Sequence, residues 1–198
     1  MQLSNNQQTF LSLVRAGLWE KEARLSRFVN IDYNEVYRLA EEQSVVGLVA
    51  AGLEHVNDVK PPKDVVLHFA GQALQLEQRN TAMNGFVAKL IERLRIIDVY
   101  AILLKGQGIA QCYERPLWRS AGDVDLLLSE NNYQKSKDVL TPLATSVEPE
   151  SIYGKHLGLT IDSWVVELHG TQHTELSSRI DRVIVSGQFL DLEKSVIT

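Results

Sequence analysis

Apolar residues recur at the spacing of an α-helix from about residue 4 to residue 97, and shorter runs of apolar and alternating residues follow. One apolar face in the first half is formed by Phe10, Leu11, Val14 and Leu18. A second helix is predicted to begin after Asp32, whose carboxylate can cap its first turn, and to end near Leu53. A pair of prolines then forces a break before one or two long helices that continue to about Leu94. The first half is therefore predicted to be helical.

The second half has the pattern of short β-strands with a few helices between them. The runs that predict strands begin at Tyr100, Asp123, Thr145, His156 and Trp164. Short helices are predicted from Ile109 to Tyr113, from Tyr133 to Leu140 with Asn131 or Asn132 as cap, and from Glu175 to Val185. The last two strands are separated only by Asp162 and Ser163, which predicts a hairpin with a two-residue turn.

Two aspartates, Asp123 and Asp125, stand at the head of the second apolar run. Because successive side chains of a strand point to opposite faces, both carboxylates share one face, roughly 6 to 7 Å apart. Like charges at this distance repel unless a cation neutralises them. Mg²⁺ is commonly held by one or two carboxylates together with substrate phosphates. The pattern predicts such a site, or alternatively two strand-edge aspartates that pair with Arg119.

A glycine-rich turn, Lys105-Gly-Gln-Gly, ends the first strand. A strand that breaks at glycine and enters a helix presents backbone N–H groups to a phosphate, and Gly106 and Gly108 would let that backbone approach closely. The sequence here is neither a Walker A loop nor G-x-G-x-x-G. Lys105 is a weaker candidate for phosphate, since alternation from Leu103 assigns it to the apolar face of the strand.

The loop between the turn and the aspartates is basic and aromatic. Arg119 is the stronger phosphate candidate, since a guanidinium can bind phosphate oxygens with two hydrogen bonds. Trp118 is predicted either to pack the loop against the protein or to stack on a nucleobase. His156 is predicted to lie either at the rim of the site or on the surface.

These segments resemble a known family. Leu103-Leu-Lys-Gly106, then Tyr113, Pro116 and Arg119, then Asp123-Val-Asp-Leu-Leu127 are similar to the signature of uncharacterised nucleotidyltransferases in the DNA polymerase β-like superfamily, and the resemblance spans about residues 35 to 175. The resemblance implies a small mixed sheet that carries two aspartates on one strand and a third acidic residue on a neighbouring strand. All three would ligate Mg²⁺ or Mn²⁺. The Lys-Gly turn departs from the wider superfamily, which usually has Gly-Ser.

Glu167 is the candidate for the third acidic position. In Trp164-Val-Val-Glu-Leu-His169, alternation places Val165, Glu167 and His169 on one face. The resemblance places an acidic-x-His pair at this point, so His169 is counted with the nucleotide-binding residues. The alternative is an edge strand with a solvated Glu and His face.

Composition is ordinary for a globular protein, with 44% hydrophobic and 23% charged residues among 198. The net charge of −5 does not indicate the basic surface that bulk nucleic-acid binding requires. The single cysteine excludes an intrachain disulfide and a cysteine-cluster zinc site. Neither a signal peptide nor a membrane span is apparent, and a cytoplasmic protein is predicted.

The predicted fold is α+β, with a helical region at 1–97 packed on a small mixed β-sheet nucleotidyltransferase core at 98–198 that is flanked by helices. The predicted activity is metal-dependent transfer of a nucleoside monophosphate from a nucleoside triphosphate to a hydroxyl of an unknown acceptor. Asp123, Asp125 and Glu167 would be the catalytic metal ligands; the nucleotide-binding residues would be Lys105, Gly106, Gly108, Arg119 and His169. The alternative is a non-catalytic module of the same fold that senses nucleotides or binds a protein partner.

Overall fold

The fold is α+β, as predicted. The computed structural model describes residues 3–151 and 155–170. In this part of the chain, six helices accompany one mixed sheet of five strands. The predicted helix from Glu175 to Val185 lies outside the described residues. No helix in the described part combines the length and the apolar character that a membrane crossing requires.

The chain divides into two compact units, and neither unit is continuous in sequence. One unit comprises Met1–Met83 and Ile109–Ala121, and the other comprises Asn84–Gly108 and Gly122–Thr198. The predicted division into residues 1–97 and 98–198 stays a prediction about how the chain is organised.

Helices build the first unit. These are α1 (Asn5–Trp19), α2 (Tyr33–Glu42), α3 (Val46–Glu54) and the first part of α4 (Lys63–Ile96). The hydroxyl of Ser4 accepts a hydrogen bond from the Gln7 backbone N–H and caps α1, and Asp32 caps α2 as predicted. α1 and α3 approach closely because both helices carry glycine at the contact: a Cβ on Gly17 would lie only 1.9 Å from the Leu48 carbonyl oxygen.

The prediction of one helix from Asp32 to Leu53 is wrong, because α2 and α3 are separate. The break lies at Ser44, whose φ of 54° is left-handed and cannot continue a right-handed helix. The N–H of Val45 then donates to the carbonyl of Ala40, which satisfies the end of α2. By contrast, of the one or two long helices predicted after the prolines, the structure has one: α4 runs unbroken through Gly71 and Gly85, where a side chain would meet nothing within 4 Å.

The sheet lies in the second unit, in the order β1, β2, β5, β4, β3. The strands are β1 (Ala101–Leu104), β2 (Val124–Leu128), β3 (Ser146–Val147), β4 (His156–Ile161) and β5 (Trp164–His169). β2 and β5 are parallel, and the other neighbouring pairs are antiparallel. Leu126 and Leu168 pair across β2 and β5 and are fully buried, so each contributes about 1.5 to 3 kcal/mol to stability.

The predicted hairpin between β4 and β5 is confirmed. Asp162 and Ser163 form its turn with φ values of 49° and 69°, the positive values that a type I′ turn requires. On β5, the face with Val166 and Leu168 is buried and the face with Glu167 is more exposed, as alternation predicted.

Two short helices of the second half differ from their predicted bounds. The helix predicted from Ile109 to Tyr113 is α5 (Lys105–Ala110), and single turns follow it. The helix predicted to begin at Tyr133 is α6 (Glu130–Leu140), with Ser129 rather than Asn131 or Asn132 at the N-cap. Asn131 and Asn132 do not cap the helix because both lie inside its first turn, and the Asn132 side chain donates to the carbonyl of Tyr100.

Candidate active site

Three acidic side chains meet where β2 and β5 run side by side. Asp123 directly precedes β2, Asp125 is its second residue, and the parallel register pairs Asp125 with Glu167 of β5. Each of the three carboxylates offers an oxygen atom within 4.8 Å of the other two. The structure thus brings together the three acidic residues that the sequence singled out.

The carboxylate of Asp125 is the most buried part of this cluster, with no exposed side-chain surface. Its Oδ1 atom lies 2.9 Å from the Lys105 Nζ and 3.0 Å from the His169 Nε2. Its Oδ2 atom is also buried but has no hydrogen-bond partner among the described residues. Buried carboxylate oxygens almost always have a partner, so this oxygen calls for one beyond the residues that the structure describes.

The charge of Asp125 is maintained despite its burial. Burial raises the pKa of this carboxyl, but hydrogen bonds and charges from Lys105 and His169 outweigh burial and bring the pKa below its usual value. The same hydrogen bond to Asp125 raises the pKa of the Lys105 ammonium. Both groups are therefore ionised at neutral pH, and Asp125 is available as an anionic ligand.

Lys105 lies closer to the carboxylates than alternation along β1 predicted. The strand ends at Leu104, and the φ of Lys105 is 45°, in the left-handed region. This change of direction breaks the alternation, so the side chain reaches Asp125 while most of its surface, 61%, stays exposed. The assignment of Lys105 to the apolar face is thus wrong.

The fold favours glycine at both positions after Lys105, for a different structural reason at each. Gly106 adopts φ 28° and ψ −120°, a conformation that favours glycine. Gly108 lies against β1, since a Cβ there would come within 2.4 Å of the Leu103 carbonyl oxygen. Their predicted contact with phosphate stays a prediction.

Two histidines flank Glu167. The Nε2 atom of His169 lies 3.4 Å from the Glu167 Oε2, and the Nε2 of His156 lies 3.3 Å from the same oxygen. Of the two predicted positions for His156, the rim of the carboxylate cluster is therefore correct. Sequence alone could not decide this, because it depends on the register of β4 against β5.

Arg119 and Trp118 belong to the helical unit. Trp118 is partly buried against its core, with the Arg115 guanidinium 4.5 Å from the centre of its ring, so the tryptophan packs the loop down. The Arg119 guanidinium lies 6.0 Å from the centre of the Tyr113 ring. Its predicted contact with phosphate stays a prediction.

One residue that the sequence did not single out secures this loop. The side-chain amide of Asn80, a fully buried residue of α4, donates hydrogen bonds to the carbonyls of Leu117 and Arg119, each at 2.7 Å. The loop also gains ion pairs from Arg115 to Glu20 and Glu54, both at 2.9 Å. A buried amide with two carbonyl partners fixes the backbone that leads towards Asp123 in sequence.

A family model described as an uncharacterised nucleotidyltransferase matches residues 30–189. The chain belongs to this nucleotidyltransferase family. The match confirms the resemblance inferred from the Lys-Gly turn and the two aspartates. No curated protein and no solved structure gives a significant match to the chain.

Membership of this family supports a general role as a nucleotidyltransferase. It implies a nucleoside triphosphate as substrate, and enzymes of this class typically use divalent metal ions. The observed donor set fits such an ion: three carboxylates converge, and the buried Oδ2 of Asp125 lacks a partner among the described residues.

Proposed function

We propose that the chain transfers a nucleoside monophosphate from a nucleoside triphosphate to a hydroxyl group of an acceptor. In this reaction the acceptor oxygen forms a bond to the α-phosphorus, the bond to the pyrophosphate oxygen breaks, and the acceptor proton passes to solvent. The observation that carries the proposal is the convergence of Asp123, Asp125 and Glu167, whose carboxylate oxygens lie within 4.8 Å of one another. One of these residues, Asp125, has a buried oxygen, Oδ2, with no hydrogen-bond partner among the described residues.

Asp123, Asp125 and Glu167 would hold Mg²⁺ or Mn²⁺. Bound divalent ions would lower the pKa of the acceptor hydroxyl and stabilise the charge that develops on the triphosphate and on the leaving pyrophosphate. The chain's own contribution is to hold three anionic ligands in fixed positions on two paired strands. Because Asp125 is buried and ionised, its position and charge are set before the substrate arrives.

Lys105 would contact the phosphates. Its ammonium group is the cation nearest to Asp125 among the contacts that the structure shows, and most of the side chain is exposed to an incoming ligand. A triphosphate oxygen would take over the hydrogen bond that Asp125 now accepts. We include Gly106, Arg119 and His169 in the proposed nucleotide site because they match the family resemblance, and Gly108 because it belongs to the same glycine-rich turn as Gly106.

Thermal unfolding tests this proposal without knowledge of the acceptor. Wild type and the Asp123→Asn/Asp125→Asn double variant are heated with ATP, GTP, CTP or UTP, each with and without Mg²⁺ or Mn²⁺. A ligand at about 100 times its dissociation constant stabilises the folded state by about 2.7 kcal/mol, which corresponds to an increase in Tm of about 5 °C or more. We expect this increase only for wild type, and only when metal and nucleotide are both present.

Asp162→Asn serves as the control, since Asp162 is an exposed aspartate at the tip of the β4–β5 hairpin. Equal shifts in wild type and the double variant would refute the carboxylate site. Binding of metal and nucleotide with no release of pyrophosphate, whatever acceptor is supplied, would instead favour the non-catalytic sensing module.

A further inference from the structure

We propose that His156, Glu167 and His169 form a second metal-binding set, which takes a transition-metal ion of the Zn²⁺ class in preference to Mg²⁺. This set differs from the three carboxylates of the proposed transferase site and shares only Glu167 with them. The proposal goes beyond the transfer reaction, because it concerns which metal ions the chain binds, whether or not a nucleotide is present.

The pairing of β4 with β5 creates this set. The antiparallel register places His156 directly opposite His169 and places Gly158 opposite Glu167. The two imidazole rings lie 4.9 Å apart, centre to centre. Both Nε2 atoms approach the same oxygen, Glu167 Oε2, at 3.3 Å and 3.4 Å. The three ligand atoms therefore converge on one small volume, within 4.8 Å of one another.

The chemistry of these donors differs from that of the carboxylate cluster. Two imidazoles and one carboxylate suit Zn²⁺ and similar first-row ions, whereas Mg²⁺ prefers sites built from oxygen atoms alone. Three protein ligands also leave open positions on the ion for water or a further ligand. The sequence contains a histidine two residues after Glu167, but the second histidine joins the set only through the strand pairing.

Burial and rigidity favour metal binding at this point. The side chains of His156, Glu167 and His169 are 36%, 26% and 18% exposed, so an ion can reach them while much of the surrounding water is excluded. All three residues lie on strands, and β5 is paired on both sides. Ligands fixed on paired strands lose little conformational freedom when an ion binds.

The competing explanation is a cluster of hydrogen bonds and charges without an ion. His169 Nε2 also lies 3.0 Å from Asp125 Oδ1, and a protonated His169 would donate a hydrogen bond there. A metal ion needs the lone pair of a neutral imidazole nitrogen, so binding of Zn²⁺ through this atom would end that donation. The two explanations therefore predict different responses to Zn²⁺.

Calorimetric titration of the full chain with ZnCl₂ or MgCl₂, in the absence of nucleotide, distinguishes them. We expect wild type to bind Zn²⁺ through this set, and His156→Gln to weaken that binding at least about 100-fold, since even a group that only orients a metal ligand is worth 10-fold to 100-fold. His68→Gln, which changes an exposed histidine of the helical unit, should leave the Zn²⁺ affinity unchanged.

Asp123→Asn keeps the test independent of the transferase proposal. This variant should reduce Zn²⁺ affinity far less than His156→Gln does, because Asp123 belongs only to the carboxylate cluster. With Co²⁺ in place of Zn²⁺, wild type should develop the intense visible absorption of low-coordinate cobalt, and His156→Gln should lose it. The inference is overturned if His156→Gln binds Zn²⁺ as tightly as wild type, if Asp123→Asn weakens binding as much as His156→Gln does, or if wild type binds Zn²⁺ with a dissociation constant of about 1 mM or weaker.

Discussion

Asp125→Asn is expected to weaken Mn²⁺ binding at least about 100-fold and to slow nucleotidyl transfer about 10³-fold or more. Asparagine has nearly the shape of aspartate but lacks the negative charge and one of the anionic oxygens. A metal ion supplies several kcal/mol of transition-state stabilisation, and every 1.36 kcal/mol of it corresponds to a factor of about ten in rate. Calorimetry measures the Mn²⁺ affinity, and pyrophosphate release measures the rate.

The buried position of Asp125 makes this the most informative aspartate of the cluster. Its Oδ2 atom has no hydrogen-bond partner among the described residues. Replacing this oxygen therefore removes a proposed metal ligand without breaking a hydrogen bond that the structure shows. Asp162→Asn, the exposed counterpart in the same unit, should keep the wild-type affinity and rate. Full activity of Asp125→Asn at saturating metal would show that the carboxylate cluster is not the catalytic site.

Glu167→Gln is expected to weaken Mn²⁺ binding and Zn²⁺ binding together, each at least about 100-fold. Glu167 is the residue that the carboxylate cluster and the histidine set have in common. Its side chain is partly exposed, so the substitution should change the free energy of unfolding of the metal-free chain by no more than about 1 kcal/mol. Calorimetry with each metal and denaturant unfolding provide the two measurements.

Two other variants distinguish the carboxylate cluster from the histidine set. His156→Gln should affect mainly Zn²⁺, Asp123→Asn should affect mainly Mn²⁺, and only Glu167→Gln should affect both. Glu92→Gln, at an exposed glutamate of α4, is the control. If Glu167→Gln changed the affinity for neither metal, both metal sets would be wrong. If it weakened the binding of only one metal, Glu167 would belong only to the set that binds that metal.

Much of this site follows from local sequence pattern. Period-two alternation correctly predicted the strand that carries Asp125 and the strand that carries Glu167, and it assigned each acidic residue to the right face. The hairpin turn at Asp162 and Ser163 was predictable because a two-residue connection between alternating runs has few conformations. These features depend on residues near one another in the chain.

Features that depend on long-range pairing could not be predicted in the same way. The contact between β2 and β5 joins residues about forty positions apart, and only the family resemblance, not the local pattern, implied that these strands are neighbours. The role of His156 required the register of β4, and the role of Asn80 required knowledge of a loop that begins more than thirty residues later. Each of these contacts is decided by packing of the whole unit.

Backbone conformations in the left-handed region account for two of the errors. Ser44 ends α2 although apolar residues continue at helical spacing beyond it. Lys105 leaves the alternation of β1 for the same reason, and its ammonium therefore reaches Asp125. Neither residue is glycine or asparagine, the types that usually signal this conformation in a sequence.

Anomalous diffraction from crystals of the wild-type chain soaked in MnCl₂ tests directly whether the three carboxylates bind a metal ion. We expect an anomalous peak at about 2 to 2.3 Å from carboxylate oxygens of Asp123, Asp125 and Glu167, with Asp125 Oδ2 among the ligands. Crystals of Asp125→Asn should lose this peak. A map with no manganese at these three carboxylates, under conditions where the ion is in large excess, would contradict the metal site and the reaction proposed from it.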